Sequence, residues 1–243
     1  MKRGIILAAL VWALVPVAAW SKPVLVTGRV VDKGGKPVAG AEVASFWNRD
    51  DQGKMKAYRS VKTDGDGGFK LECELYSRDQ PLMAIDPTAK LGGIATIRAQ
   101  AFDKPLLIEV SPLVEIKGHF TCSESGKSPG WTNVYVSVMP GGLRVASCSS
   151  RESTFALKLP AGKYGFYGYG SFTDFEGVTK DVTLEEGKVL DMGAVDLKLT
   201  PIARHYGKEP PAWHVTAARG VNKDVKIADF KGKWVVIEFW GFW

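Results

Sequence analysis

The sequence predicts a mainly β protein, and three observations carry that expectation. Apolar residues recur at alternate positions in short runs, as in strands with one buried face. The 27 Gly and 13 Pro fall mostly between those runs, where turns join antiparallel strands. A chain of 243 residues with 45% hydrophobic and 24% charged content is globular in composition and long enough for two small domains.

The N-terminus stands apart from this pattern. Lys2 and Arg3 precede an apolar run from Ile5 to Val15, a helix-breaking Pro16 and the small residues Val17-Ala18-Ala19. This layout is that of a bacterial-type export signal over residues 1–19, cleaved after Ala19 or, as a weaker option, after Ser21. The run falls short of the ~20 apolar residues of a spanning helix, which argues against an uncleaved anchor, and no later segment could span a membrane. The expected location is therefore periplasmic or extracellular. Removing Lys2 and Arg3 lowers the formal charge from +6 to +4, with 30 basic residues against 26 acidic. Those bases are scattered, so nucleic acid is not an expected partner.

From Val24 the text "VLVTGRVVDKGGKPVAGAEVASFW" reads as a strand, a Gly-Gly-Lys-Pro turn and a second strand alternating Val43, Ser45 and Trp47. "KAYRSVKTDGDGGFKLECEL" follows as a strand pair around an Asp-Gly-Asp-Gly-Gly turn, then "LMAID", "GGIATIRA" and "LLIEVSP". About seven short strands in ~90 residues point to a β-sandwich. Asp64-Gly65-Asp66-Gly67 is a hairpin turn rather than a calcium loop, because an EF-hand needs a Glu where Leu75 stands.

Gly28, Val30, Asp32, Gly35, Pro37, Val38, Gly40, Ala41 and Val43, followed by Thr63, Asp64, Gly67 and Phe69, form an ordered motif that resembles a carboxypeptidase regulatory-like domain. The resemblance covers Val24 to about Pro112, within a first unit of residues 20–112. It implies a transthyretin-type sandwich without catalytic residues of its own.

Residues 113–200 read as a second, degenerate sandwich. "VEIKGHFTCSESGKSPGWTNVYVSV" sets Gly118, Phe120, Pro129 and Val134 near the places of Gly28, Val30, Pro37 and Val43, and Leu159-Pro160-Ala161-Gly162-Lys163-Tyr164 resembles a strand-and-turn step common in such sandwiches. The series Tyr164, Phe166, Tyr167, Tyr169, Phe172 and Phe175 is interleaved with glycine. Strand alternation sends Tyr164 and Phe166 one way and Tyr167 and Tyr169 the other, so half of the series is core and half is a candidate sugar- or peptide-binding face. Cys122 and Cys148 fall in this unit, and a disulfide between them is a candidate that distance must decide. Cys73 reads as a buried lone thiol.

His119, His205 and His214 are far apart, with no paired spacing for zinc. Neither Gly-x-Ser-x-Gly nor a complete phosphate loop occurs, Gly126-Lys127-Ser128 lacking the first glycine. No cofactor is expected.

Residues 201–212, with Pro210 and Pro211, read as a linker. Beyond it, Lys226 to Lys233 reads as a short turn or helical piece closed by Gly232, and Val235 to Trp240 as a strand. "PPAWHVTAARGVNKDVKIADFKGKWVVIEFWGFW" resembles the opening of the thioredoxin-like, redoxin-type thiol:disulfide oxidoreductases. In that family Cys-x-x-Cys follows the Phe-Trp-x-x-Trp at which this chain ends. The resemblance implies that residues 213–243 are the N-terminal fragment of a thioredoxin-like α/β domain. In the parent, Glu238 would be the buried acid/base, Trp240 and Trp243 would flank the missing Cys-x-x-Cys, and the partners would be protein or small-molecule thiols and disulfides. A helix N-terminus lowers a thiol pKa, which is why that chemistry belongs after a buried strand. The expected function is thus a redox-inactive fragment of an exported oxidoreductase, or alternatively a non-enzymatic binding or structural module of tandem sandwiches.

Overall fold

The computed structural model describes residues 23–50, 53–74, 79–98, 104–208, 216–236 and 238. The export signal expected over residues 1–19 lies outside them. Sixteen strands and two short 3-10 turns make up the regular structure of the described residues, so the protein is mainly β.

The first nine strands are β1 (Pro23–Asp32), β2 (Glu42–Ala44), β3 (Phe46–Arg49), β4 (Met55–Tyr58), β5 (Val61–Lys62), β6 (Gly68–Glu74), β7 (Gln80–Ile85), β8 (Leu91–Ile97) and β9 (Leu106–Pro112). Seven of them form one sheet in the order β5-β2-β7-β8-β9-β1-β6. It turns a corner in β9, whose Leu106 to Val110 run parallel to β1 while Ser111 and Pro112 pair with β8. Folding the sheet there encloses a core of Val26, Val30, Phe69, Leu71 and Ile108 from one half and Val43, Leu82, Ala84 and Ile97 from the other. Each Val, Leu, Ile or Phe side chain among them contributes roughly 1.5–3 kcal/mol relative to exposure.

The next seven strands are β10 (Val114–Thr121), β11 (Thr132–Val138), β12 (Leu143–Ser150), β13 (Thr154–Leu159), β14 (Gly162–Tyr169), β15 (Val178–Leu184) and β16 (Leu190–Asp196). A three-stranded sheet, β13-β10-β16, covers a six-stranded one, β15-β14-β11-β12-β3-β4. Ile116, Phe120, Phe155, Leu157 and Leu159 of the smaller sheet share one core with Val134, Val136, Tyr164, Phe166 and Leu184 of the larger. The echo between the two halves has a structural counterpart. Gly28 sits opposite Phe69 on an antiparallel neighbour and beside a parallel one, and Gly118 sits opposite Phe155 in the same arrangement.

The expected run of one strand through Val43, Ser45 and Trp47 is corrected. The chain bends at Ser45 and changes sheets: β2 pairs with β7, while β3 pairs in parallel with β12 of the other sandwich. The reason is that Val43 belongs to the first core whereas Ala44 and Trp47 belong to the second. Strand β7 is divided likewise, Leu82 and Ala84 facing one core and Met83 and Ile85 the other. This accounts for the unbroken apolar run "LMAI", since a strand covered on both faces has no polar alternation.

Past β16 the predicted linker begins as docked chain. A 3-10 turn at Ala203–His205 is held by Arg204, which donates to Glu124 at 2.8 and 3.1 Å, and by Tyr206, which donates to Asp174 at 2.9 Å. Residues 209–212 lie outside the described residues. The piece expected near Lys226 is a 3-10 turn, Ile227–Phe230, begun by the Lys226 N–H donating to the Asp229 carboxylate at 2.8 Å. The strand expected from Val235 is not formed at the described positions: Trp234, Val235, Val236 and Glu238 have no regular structure and are exposed. No described strand pairs with them, and an unpaired strand leaves its backbone groups to water.

Candidate functional site

The ordered motif of the first sandwich holds turns. Asp64 accepts from the backbone N–H of Asp66 and Gly68 at 3.0 and 2.7 Å, and the turn it closes docks on β1 through Val30 N–H donating to Gly67 O at 2.8 Å. Thr63 is buried; its hydroxyl donates to Val38 O at 2.6 Å and accepts from Ala41 N–H at 2.9 Å. Asp32 caps its own turn by accepting from Gly34 and Lys36. The motif therefore specifies a fold, and its polar residues are occupied. The groove of about 610 Å³ beside it is lined by Arg29, Lys62, Asp64 and Lys70. Its Arg29 guanidinium is already engaged with Asp66 O at 2.8 and 3.1 Å.

The residues nominated by the C-terminal resemblance fall only partly within the described residues. Glu238 is exposed, and Trp240 and Trp243 lie outside the described residues. Cys122 and Cys148 are both buried free thiols, as is Cys73, so the candidate bridge is not formed in this structure. Cys122 follows β10 in the smaller sheet and Cys148 sits on β12 in the larger. Burial pushes the Cys148 and Cys73 thiols up to about 11, away from the thiolate that exchange chemistry needs. Among the described residues no three His, Cys, Asp or Glu side chains converge on a metal position.

What the fold does bring together lies on the outer face of the six-stranded sheet. In β14, Tyr164 and Phe166 enter the core, as alternation predicts, and Tyr167 and Tyr169 face outward. Two glycines make room. The Phe120 ring lies against Gly168 on the core side, and the Tyr167 ring lies against Gly177 outside. Tyr169 is the hub, with ring centroids 5.3 Å from Tyr167, 5.9 Å from Tyr135, 5.8 Å from Trp131 and 4.5 Å from Phe172. Its neighbours bury it, and that burial together with the Tyr135 hydroxyl pushes its phenol up to about 12. The Arg144 guanidinium carbon lies 3.9 Å above the Tyr135 ring, a cation–π contact that leaves Trp131 and Phe172 as the most open rings, 45% and 66% exposed.

Beside this array runs a groove of about 420 Å³ lined by Phe46, Asn48, Arg49, Asn133, Tyr135, Ser147 and Ser149. The Asn133 amide donates to Ser149 Oγ at 3.0 Å, but its Oδ1 is shielded from solvent and has no donor. An unmet buried acceptor of this kind costs about 1–3 kcal/mol. Ser147 donates to Asn48 across the β12–β3 junction. The sequence reading named Tyr167, Tyr169 and Phe172 of this face and missed Trp131, Tyr135 and the groove. Asn133 and Tyr135 alternate with buried Val134 and Val136 in "TNVYVSV", so their outward direction was readable; Phe46 and Asn48 reach the site only because β3 crosses to β12.

No family model and no curated protein matches the chain, so the carboxypeptidase regulatory-like and thioredoxin-like resemblances rest on sequence motifs alone. Among solved structures, similarity is found to the Bacillus anthracis TIE protein at 14% identity and TM-score 0.34, over 73% of this chain and 34% of that one. A Streptococcal ancillary pilin is similar at 12% identity and TM-score 0.34, over 74% and 63% of the two chains. The shaft pilin SpaA from Lactobacillus rhamnosus GG is similar at 12% identity and TM-score 0.32, over 74% and 99%. The chain thus spans about a third of the first of these proteins. Scores at this level assign neither family nor function.

Proposed function

We propose that this chain is an exported, non-enzymatic binding module whose ligand face is the outer side of β11, β12 and β14. The observation that carries the reading is the contiguous array of Trp131, Tyr135, Tyr167, Tyr169 and Phe172 standing on the solvent side of a sheet whose own core is filled from the other side. Rings placed there supply flat, low-entropy contact area, the composition found at binding hot spots. The test is retention of ligands by the full chain on glycan and peptide arrays. Phe172→Ala and Trp131→Ala are expected to weaken any retained ligand at least ~10-fold. Arrays left blank by the unmodified chain would overturn the reading.

A second reading is favoured by one sequence observation, the order Asp229-Phe230-Lys231-Gly232-Lys233, Glu238 and Trp240-Gly241-Phe242-Trp243. In it the chain is part of an exported redoxin-type thiol:disulfide oxidoreductase, with Glu238 as the acid/base of the complete domain. Reading the coding sequence past Trp243 tests it directly: Cys, two residues and a second Cys are expected, and a continuation without cysteine in the next four codons removes it. The chain of 243 residues alone is expected to show no insulin reduction above a cysteine-free control.

A further inference from the structure

Resting on the binding-module reading, we propose that the ligand is a neutral saccharide, with sugar rings on Trp131 and Phe172 and hydroxyls bonded in the groove centred on Asn133. Three features select this class. First, the groove offers two amides, two serine hydroxyls and a phenol, with no carboxylate and with Arg49 as the one charged side chain of its lining, Arg144 being stacked on the Tyr135 ring. Such a lining matches the many neutral hydroxyls of a sugar, each donor and acceptor at once, better than it matches a polyanion.

Second, Asn133 lines the groove, and its shielded Oδ1 is an acceptor without a donor. Asn133 Nδ2 is spent on Ser149, and the terminal torsion of an Asn side chain is soft, so a modest turn of the amide can bring Oδ1 toward the groove. An arriving hydroxyl then supplies the donor that the protein itself does not. Trp131 stands two residues before Asn133, on the same outward side of the chain, ~6.5 Å away along the strand direction. One ring can therefore stack while its neighbour's hydroxyls reach the amide.

Third, β11, β12 and β14 each have a strand partner on both sides. Their ladder groups are used, so an extended peptide finds no backbone edge to pair with here, and recognition falls to side chains.

The probes are neutral hexasaccharides of glucose, mannose, xylose and N-acetylglucosamine, titrated calorimetrically into the full chain, with a peptide array run in parallel. At least one hexasaccharide is expected to bind. Asn133→Ala and Ser149→Ala should each weaken it about 10-fold, the loss of one hydrogen bond in a desolvated site. Trp131→Ala should remove binding, and Leu107→Ala, an exposed change on the first sandwich, should leave it unchanged. Circular dichroism melts establish that each variant is folded. Saccharide binding that survives both polar substitutions in folded protein overturns the groove assignment. Retention of peptides alone, lost with Trp131→Ala, overturns the saccharide inference and leaves the binding module standing. Arrays and titrations that are both blank overturn the two together.

Discussion

Gly28 and Gly35 are both glycines of the same motif, yet their side chains are missing for different reasons. A Cβ on Gly28 would stand 2.5 Å from the Phe69 ring and collide with the Leu106 carbonyl, whereas Gly35 has open space around it and a left-handed φ of +78°. Gly28→Ala is therefore expected to cost about 3 kcal/mol, the upper part of the overpacking range, because backbone cannot move aside as a side chain can. Gly35→Ala should cost only the ~1–2 kcal/mol of a strained dihedral. Denaturant melts of the two variants decide the order, and equal losses would refute it. The buried thiols give a pH signature. Folding holds the Cys73 and Cys148 pKa values above the unfolded value of 9.0, at about 11. Their contribution to stability is whole below pH 9 and is lost as pH rises through 9 toward 11. A melting temperature that declines over that window, and declines less in Cys148→Ala, is the expected result.

The β3–β4 hairpin belongs by sequence to the first unit and by packing to the second. Trp47 fixes it: the ring is 1% exposed in the second core, pairs with Ala146 of β12, and donates its Nε1–H to Met83 O at 3.3 Å. Trp47→Ala should destabilise by about 3–5 kcal/mol, as other large aromatic truncations in cores do. Because Phe46 and Asn48 line the groove, the same change should also weaken ligand binding. Loss of stability with full ligand affinity would show that the hairpin does not build the site. A smaller fastening closes β14, where the Tyr164 hydroxyl donates to Pro160 O at 2.8 Å within the Leu-Pro-Ala-Gly-Lys-Tyr step. Tyr164→Phe removes only that bond and is expected to cost about 1 kcal/mol by chemical denaturation.

For the molecule as a whole, two cores that share β2 and β7 are expected to melt as one. Leu82 faces one core and Met83 the other, from adjacent positions of a single strand. Leu82→Ala and Met83→Ala should each lower the same calorimetric transition by the ~2–5 kcal/mol of a buried truncation. Two transitions, each moved by only one of the variants, would show independent sandwiches. The sharing also bears on function: the groove lies where β3 from the first unit meets β12 of the second, so a chain cut between residues 112 and 113 loses part of one wall.

Local chemistry was enough for much of this. Alternation marked the strands, glycine and aspartate marked the turns, and the outward direction of Tyr167 and Tyr169 followed from a period of two along β14. These are properties of neighbouring residues, which a sequence displays directly. The destination of β3 was not among them. Val43 and Trp47 alternate as one strand would, and nothing local says that a bend at Ser45 sends them to different cores. Pairing between β3 and β12 joins residues about a hundred positions apart, and it is decided by which apolar faces can be covered at once. The groove at that junction, lined by Asn133 with its unmet acceptor, exists only because the tertiary structure made that choice.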